Sequence, residues 1–263
     1  MKLNIKAELK QLLEIIKSLD KKAVTIFISV AAFQTISWYY TSRRFFRRNL
    51  YYQYFQDNPD VQLYEYLYWF CSELIPFVIL PILLIKFFLK EKVSNFGMSL
   101  GDYKTGLKLT LVFLIFMLPL LWFASSQPDF AAKYPHLKSA REYWSIFLIY
   151  EIGMLTYMFS WEFIWRGYMQ FGLEEKFGYY AILIQMIPFV ILHNGKPELE
   201  TFSAILGGIA LGILAFRTRS FIYGVLVHFG IMLGIDLISV ARFKSDDYGI
   251  GLNSLFNLIS KLF

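Results

Sequence analysis

The chain has 263 residues, 57% of them hydrophobic and 19% aromatic, with a formal net charge of +6 and a mean hydropathy of +0.46. Soluble domains sit nearer about 45–50% apolar, so this composition excludes an ordinary water-soluble domain and points to a membrane. The positive charge is scattered over short loops with no basic stripe, which suits anionic lipid headgroups and excludes nucleic acid as a partner, and the single cysteine, Cys71, excludes an internal disulfide.

A membrane-crossing helix needs about 20 mostly apolar residues. Apolar runs fall at 23–40, 66–89, 106–125, 144–172, 178–194, 201–217 and 220–241, the fifth and sixth being short. The first follows a lysine-rich N-terminus (Lys2, Lys6, Lys10, Lys17, Lys21, Lys22) and lacks a small-residue cleavage site, so it reads as a retained helix. After it comes TSRRFFRRNLYYQYFQDNPDVQ, read as the longest polar loop, and then the second run, where Cys71 reads as core. His136 lies in a further loop, KYPHLKS. The sixth run carries AILGGIALG, whose Ala204, Gly208 and Gly212 at four-residue spacing allow close helix contact. Asn253 to Phe263 alternates like an amphipathic interfacial helix. The expected fold is all-α, a polytopic transmembrane bundle of about seven spans. An N-terminal segment with three membrane helices covers 1–143, a core covers 144–241 and an amphipathic tail covers 242–263.

Ionisable groups at membrane depth cost on the order of 2.5–3.5 kcal/mol and are functional candidates by default. Those within the runs or at their edges are Glu73, Glu151, Glu162, Arg166, His193, Glu200, His228 and Asp236. At 1.5 Å per residue, measured from one membrane face, Glu162 lies about 18 Å up, His193 about 22 Å, His228 about 12 Å, Asp236 about 24 Å and Glu200 about 25 Å. All five therefore share one slab. Glu151, Glu162 and Arg166 share a helical face, with Glu162 and Arg166 spaced for an i,i+4 pair. His228, Met232 and Asp236 share another, and Glu73 is assigned no role. Structural readings stand beside these: a buried ion pair, an interhelical histidine hydrogen bond, and a helix-N-terminal charge for Glu200.

A carboxylate and a histidine facing one water can remove its proton, and a second histidine can stabilise a tetrahedral oxyanion. Such a set suffices for peptide hydrolysis without a cofactor. One Glu and two His also make a His₂Glu zinc site with an open water position. The residues leave that choice open.

The pattern resembles the CPBP (Abi) membrane proteins, which include type II CAAX prenyl endopeptidases and bacteriocin-processing or immunity proteins. The family pattern is E-E-x-x-x-R, F-x-x-x-H and H-x-x-x-N. Here it reads WEFIWR (Glu162, Arg166), FVILH (Phe189 to His193) and HFGIM (His228, Met232), over about residues 144–241. Trp161 replaces the first glutamate, which in the family is thought to activate the water, and Met232 replaces the asparagine. In this variant Glu200 would stand in for the carboxylate and Asp236 for the asparagine. The resemblance implies an intramembrane endopeptidase in which Glu162 and His193 activate water, His228 stabilises the oxyanion and Arg166 holds Glu162. Its partners would be the lipid bilayer and a membrane-associated or lipidated peptide, and its location a bacterial inner membrane. The alternatives are a non-catalytic, immunity-type binder of a peptide or partner protein, and a small transporter.

Overall fold

The computed structural model describes residues 4–262, so Lys2 and Phe263 of the sequence reading lie outside the described residues. Among the described residues there are helices and no strands. Helix α1 is Ile5–Ser18, capped by Asn4, whose side chain accepts from the Ala7 N–H. Helix α2, Lys21–Phe55, is capped in the same way by Asp20 on Ala23, and α3 is Val61–Leu89. Helix α4, Tyr103–Ala124, is capped by Asp102 on Thr105. A continuous helix, α5, occupies 144–177. It is followed by α6 Tyr180–Ile191, α7 Glu198–Thr218, α8 Ile222–Ser245 and α9 Leu252–Leu262. Such caps satisfy N–H groups that a first helical turn leaves free.

Five of these helices, α2, α3, α4, α7 and α8, are long and apolar enough to cross a membrane. Two of the seven apolar runs, the fourth and the fifth, are not among them. The fourth apolar run is α5, and the fifth is α6, whose 12 residues reach only about 18 Å. Helix α5 is the centre of the bundle. Every residue from Ser160 to Leu173 is buried, and a helix apolar on all sides belongs inside a bundle rather than at its surface. It packs on α2, α3, α6 and α8. Ser29 on α2 and Tyr168 on α5 share a 2.7 Å hydrogen bond, and Gly153 lets α3 approach so closely that a Cβ there would lie 2.9 Å from Phe70 and Leu67.

The glycine stripe of α7 works as its spacing predicts. A Cβ on Gly208 would lie 2.9 Å from Met186, and one on Gly212 2.8 Å from Ile182, both on α6. Small residues thus bring α6 and α7 together. At the other end of α7, Gly101 has φ +48° and a Cβ there would fall 1.9 Å from the Thr218 carbonyl. The left-handed backbone and the close approach both require glycine.

Three expectations need correction. Arg43–Phe55, read as part of a polar loop, is helical. Ser42 caps it, Arg43 and Arg47 both bind the buried Glu65 carboxylate, and Phe46 packs on Phe55 and Tyr68. Cys71 is exposed on the outside of α3 rather than in the core. Its apolar run faces inward on one side only, which hydropathy alone does not resolve. His193 lies two residues beyond α6, in the turn that leads to α7, and not within a helix. The expected amphipathic C-terminal helix is present as Leu252–Leu262.

Candidate functional site

The site begins on α5. Glu162 ends its α-helical part and Arg166 lies within the π-helical stretch Phe163–Met169 that follows. Such widened turns recur at functional sites because they re-aim side chains that an α-helix would stack. Arg166 Nη1 donates to Glu162 Oε1 at 2.9 Å, and both side chains are completely buried. A charge pair this deep holds only if each partner is compensated, since desolvation costs several kcal/mol per ion. The guanidinium also lies 4.0 Å over the Phe189 ring, a cation–π contact from α6.

The same Glu162 oxygen lies 2.7 Å from His228 Nδ1 on α8. A neutral His228 therefore carries its proton on Nδ1 and presents Nε2 as a free base. Gly224, one turn earlier on α8, makes room for the carboxylate: a Cβ there would lie 2.7 Å from Glu162 Oε2. His193 Nδ1 binds the Phe189 carbonyl at 2.7 Å, which again leaves Nε2 free. The Phe189 ring flanks both imidazoles, 4.5 Å from His193 and 6.0 Å from His228. Glu162, Arg166, His193 and His228 thus converge around one phenylalanine.

Glu200 and Asp236 are placed differently. Glu200, in the first turn of α7, accepts from Lys196 at 2.6 Å and from the Tyr134 hydroxyl. It is within electrostatic reach of His193, as is Lys196. Asp236 is eight residues beyond His228 on α8, about 12 Å along the axis, and turns to Glu151 on α5. It does not join the Glu162–His228 pair. The sequence reading missed Tyr134 and the rings that surround the imidazoles. Tyr134 sits in the α4–α5 connection, 66 residues from Glu200, and carries no local signal. His136 stacks on Tyr134 at 4.7 Å, and burial, aided by the Lys196 ammonium, pushes its pKa down to about 3.

Glu162 Oε1 is engaged by both Arg166 and His228 Nδ1, while its Oε2 is buried without a partner. Among the described residues, no three His, Cys, Asp or Glu side chains are grouped so that together they could hold a metal ion.

Residues 143–233 match the family model described as type II CAAX prenyl endopeptidase Rce1-like. This is a CPBP-family domain. The chain matches no curated protein and no solved structure. The CPBP domain covers α5 to the first half of α8 and so contains the whole Glu162–His193–His228 constellation. At the position of the pattern's first glutamate, Trp161 packs its ring 6.4 Å from His193 and 6.0 Å from Phe189. Met232, one turn past His228 at the asparagine position, is buried. With five helices long and apolar enough to cross a membrane and this domain, the chain is an integral membrane protein that carries a domain of the CAAX protease superfamily.

Proposed function

We propose that the CPBP domain is an intramembrane endopeptidase that hydrolyses a membrane-associated peptide, with His228 as the base that activates water. The observation that carries this reading is the Glu162–His228 contact of 2.7 Å, locked from behind by Arg166. A carboxylate bound to Nδ1 holds the imidazole in one tautomer and orientation, and stabilises the imidazolium that forms. Glu162 is fully buried, with Oε1 shared by Arg166 and His228, so in this proposal it positions His228 rather than touching water. His193 Nε2 is a second acceptor for the same water. The step is ordinary hydrolysis: His228 takes a proton from water, the hydroxide adds to the peptide carbonyl, and the C–N bond breaks. The imidazolium then returns the proton to the leaving nitrogen. Glu200, tied to Lys196 and Tyr134, sets the charge beside His193 in place of the carboxylate that Trp161 displaces. Asp236 is left out of the mechanism.

The aromatic wall of Trp69, Tyr157, Trp161 and Phe189 offers an apolar surface leading to His193, which suits a substrate that arrives through the bilayer. The test is mass spectrometry of a library of lipidated and apolar peptides incubated in liposomes with the protein. Wild-type protein is compared with His193→Ala and His228→Ala. Cleavage products that vanish with either histidine support the proposal. Products that persist in both variants, or binding of a peptide with no product, replace it with the binding-protein reading.

A further inference from the structure

One buried cluster has no part in the hydrolytic proposal. Glu151 on α5 and Asp236 on α8 are both buried, and their carboxyl groups lie within hydrogen-bonding reach of one another. None of their four oxygens has any other hydrogen-bond partner. Two further oxygens nearby are equally bare. The Tyr150 hydroxyl is fully buried and unpartnered, and Asp236 is the charge that acts on it most strongly. The Ser239 hydroxyl, one turn past Asp236 on α8, is likewise buried and unpartnered. The cationic side chains that act on the cluster, Lys138, Arg141 and Lys196, belong to the connections outside it and form no ion pair with either carboxylate. Buried polar atoms are almost always satisfied, and an orphaned group in a native protein calls for a bound water or ion.

We propose that Glu151 and Asp236, with the Tyr150 and Ser239 hydroxyls, bind a small hard cation of sodium or calcium size between α5 and α8. All-oxygen donors of this kind suit a hard cation rather than zinc or copper. Two facing carboxylates in an apolar interior repel one another, and a cation removes that repulsion while giving the hydroxyl oxygens a partner. A single shared proton would satisfy only the carboxyl pair and leave Tyr150 and Ser239 bare. The position gives the ion a consequence. It would clamp the two helices that carry Glu162 and His228, about 12–16 Å from those residues along the helix axes. Cation binding would then fix the spacing of the site without touching the reaction.

The experiment is thermal unfolding of the detergent-purified full chain in CaCl₂, NaCl or choline chloride at matched ionic strength. It is repeated on Glu151→Gln and Asp236→Asn, which keep side-chain volume. It reads stability and not cleavage, so its outcome is independent of the peptidase proposal. The expected result is a saturable rise in unfolding temperature of about 3 °C or more for wild type in Ca²⁺ or Na⁺ over choline. The ion that acts is identified by which arm responds, and both variants lose the response. A wild-type unfolding temperature indifferent to both cations overturns the proposal, whatever the variants do. So does an equal response in wild type and variants. Indifference to cations combined with stabilisation by Glu151→Gln would assign the cluster to a shared proton instead.

Discussion

A guanidinium in the middle of a helical bundle is tolerated only while its partner carboxylate stays in place. Arg166 has that partner in Glu162, and Glu162 in turn has His228, so the three form a chain in which each link supports the next. Removing the middle link is predicted to be the most damaging single change. Glu162→Ala should destabilise the protein by about 3–5 kcal/mol, the usual penalty for stranding a buried charge. Denaturant unfolding in detergent measures it, and a loss below about 1 kcal/mol would mean that Arg166 finds water or another acceptor. A second residue-scale prediction concerns His136. Its folded pKa, about 3, lies below the unfolded value. The unfolded state therefore takes up the proton first, and stability falls as pH drops from about 6.5 toward 3. His136→Phe should keep the stack on Tyr134 and show a smaller drop in unfolding temperature between pH 7 and pH 4.5. At this scale the i,i+4 spacing made the Glu162–Arg166 pair legible in the sequence. For Asp236, spacing places the residue on a helical face but does not say which neighbour that face meets. It shares the His228 face, yet its partner comes from α5, two turns further along.

Helix contacts here are set by what is missing from side chains. Gly208 and Gly212 let α7 lie against α6, which bears Phe189 and leads directly into His193. Gly212→Ala would press a methyl to 2.8 Å from Ile182 and 2.9 Å from the Gln170 amide oxygen, and overpacking of this kind costs about 1–3 kcal/mol. Gly207, with nothing within 4 Å of an added Cβ, is the internal control. Gly207→Ala should be neutral or stabilising by up to about 1 kcal/mol through helix propensity. Thermal unfolding of the two variants side by side checks both signs. The four-residue stripe was readable because glycine at that period serves helix approach and little else. The helix over Arg43–Phe55 was not readable. Four arginines and a run of tyrosines resemble a solvated loop until Glu65, from the following helix, neutralises two of the arginines.

For the whole molecule, hydropathy found where the chain is apolar but not which apolar helix faces lipid. Helix α5 is as oily in sequence as its neighbours, yet it is the core around which the others pack, with Ser160 to Leu173 wholly enclosed. That enclosure explains why a stretch so rich in Phe, Trp, Met and Tyr also carries an ion pair. The rings fill the bundle, and the charges are held at its centre, beside the phenylalanine that both histidines flank. The CPBP domain supplies this centre, and the N-terminal helices close it off: α2 and α3 pack directly on α5.

Glu162 acting through His228 is the centre of the proposed mechanism, and its most direct test is the steady-state cleavage rate of Glu162→Gln against wild type in liposomes, across pH. Gln keeps the volume and one acceptor oxygen but lacks the charge that stabilises the imidazolium. The predicted result is a fall in kcat of about 10²- to 10⁴-fold with KM little changed and the basic limb of the pH profile displaced. A Glu162→Gln enzyme that cleaves at the wild-type rate with an unaltered pH profile would contradict it.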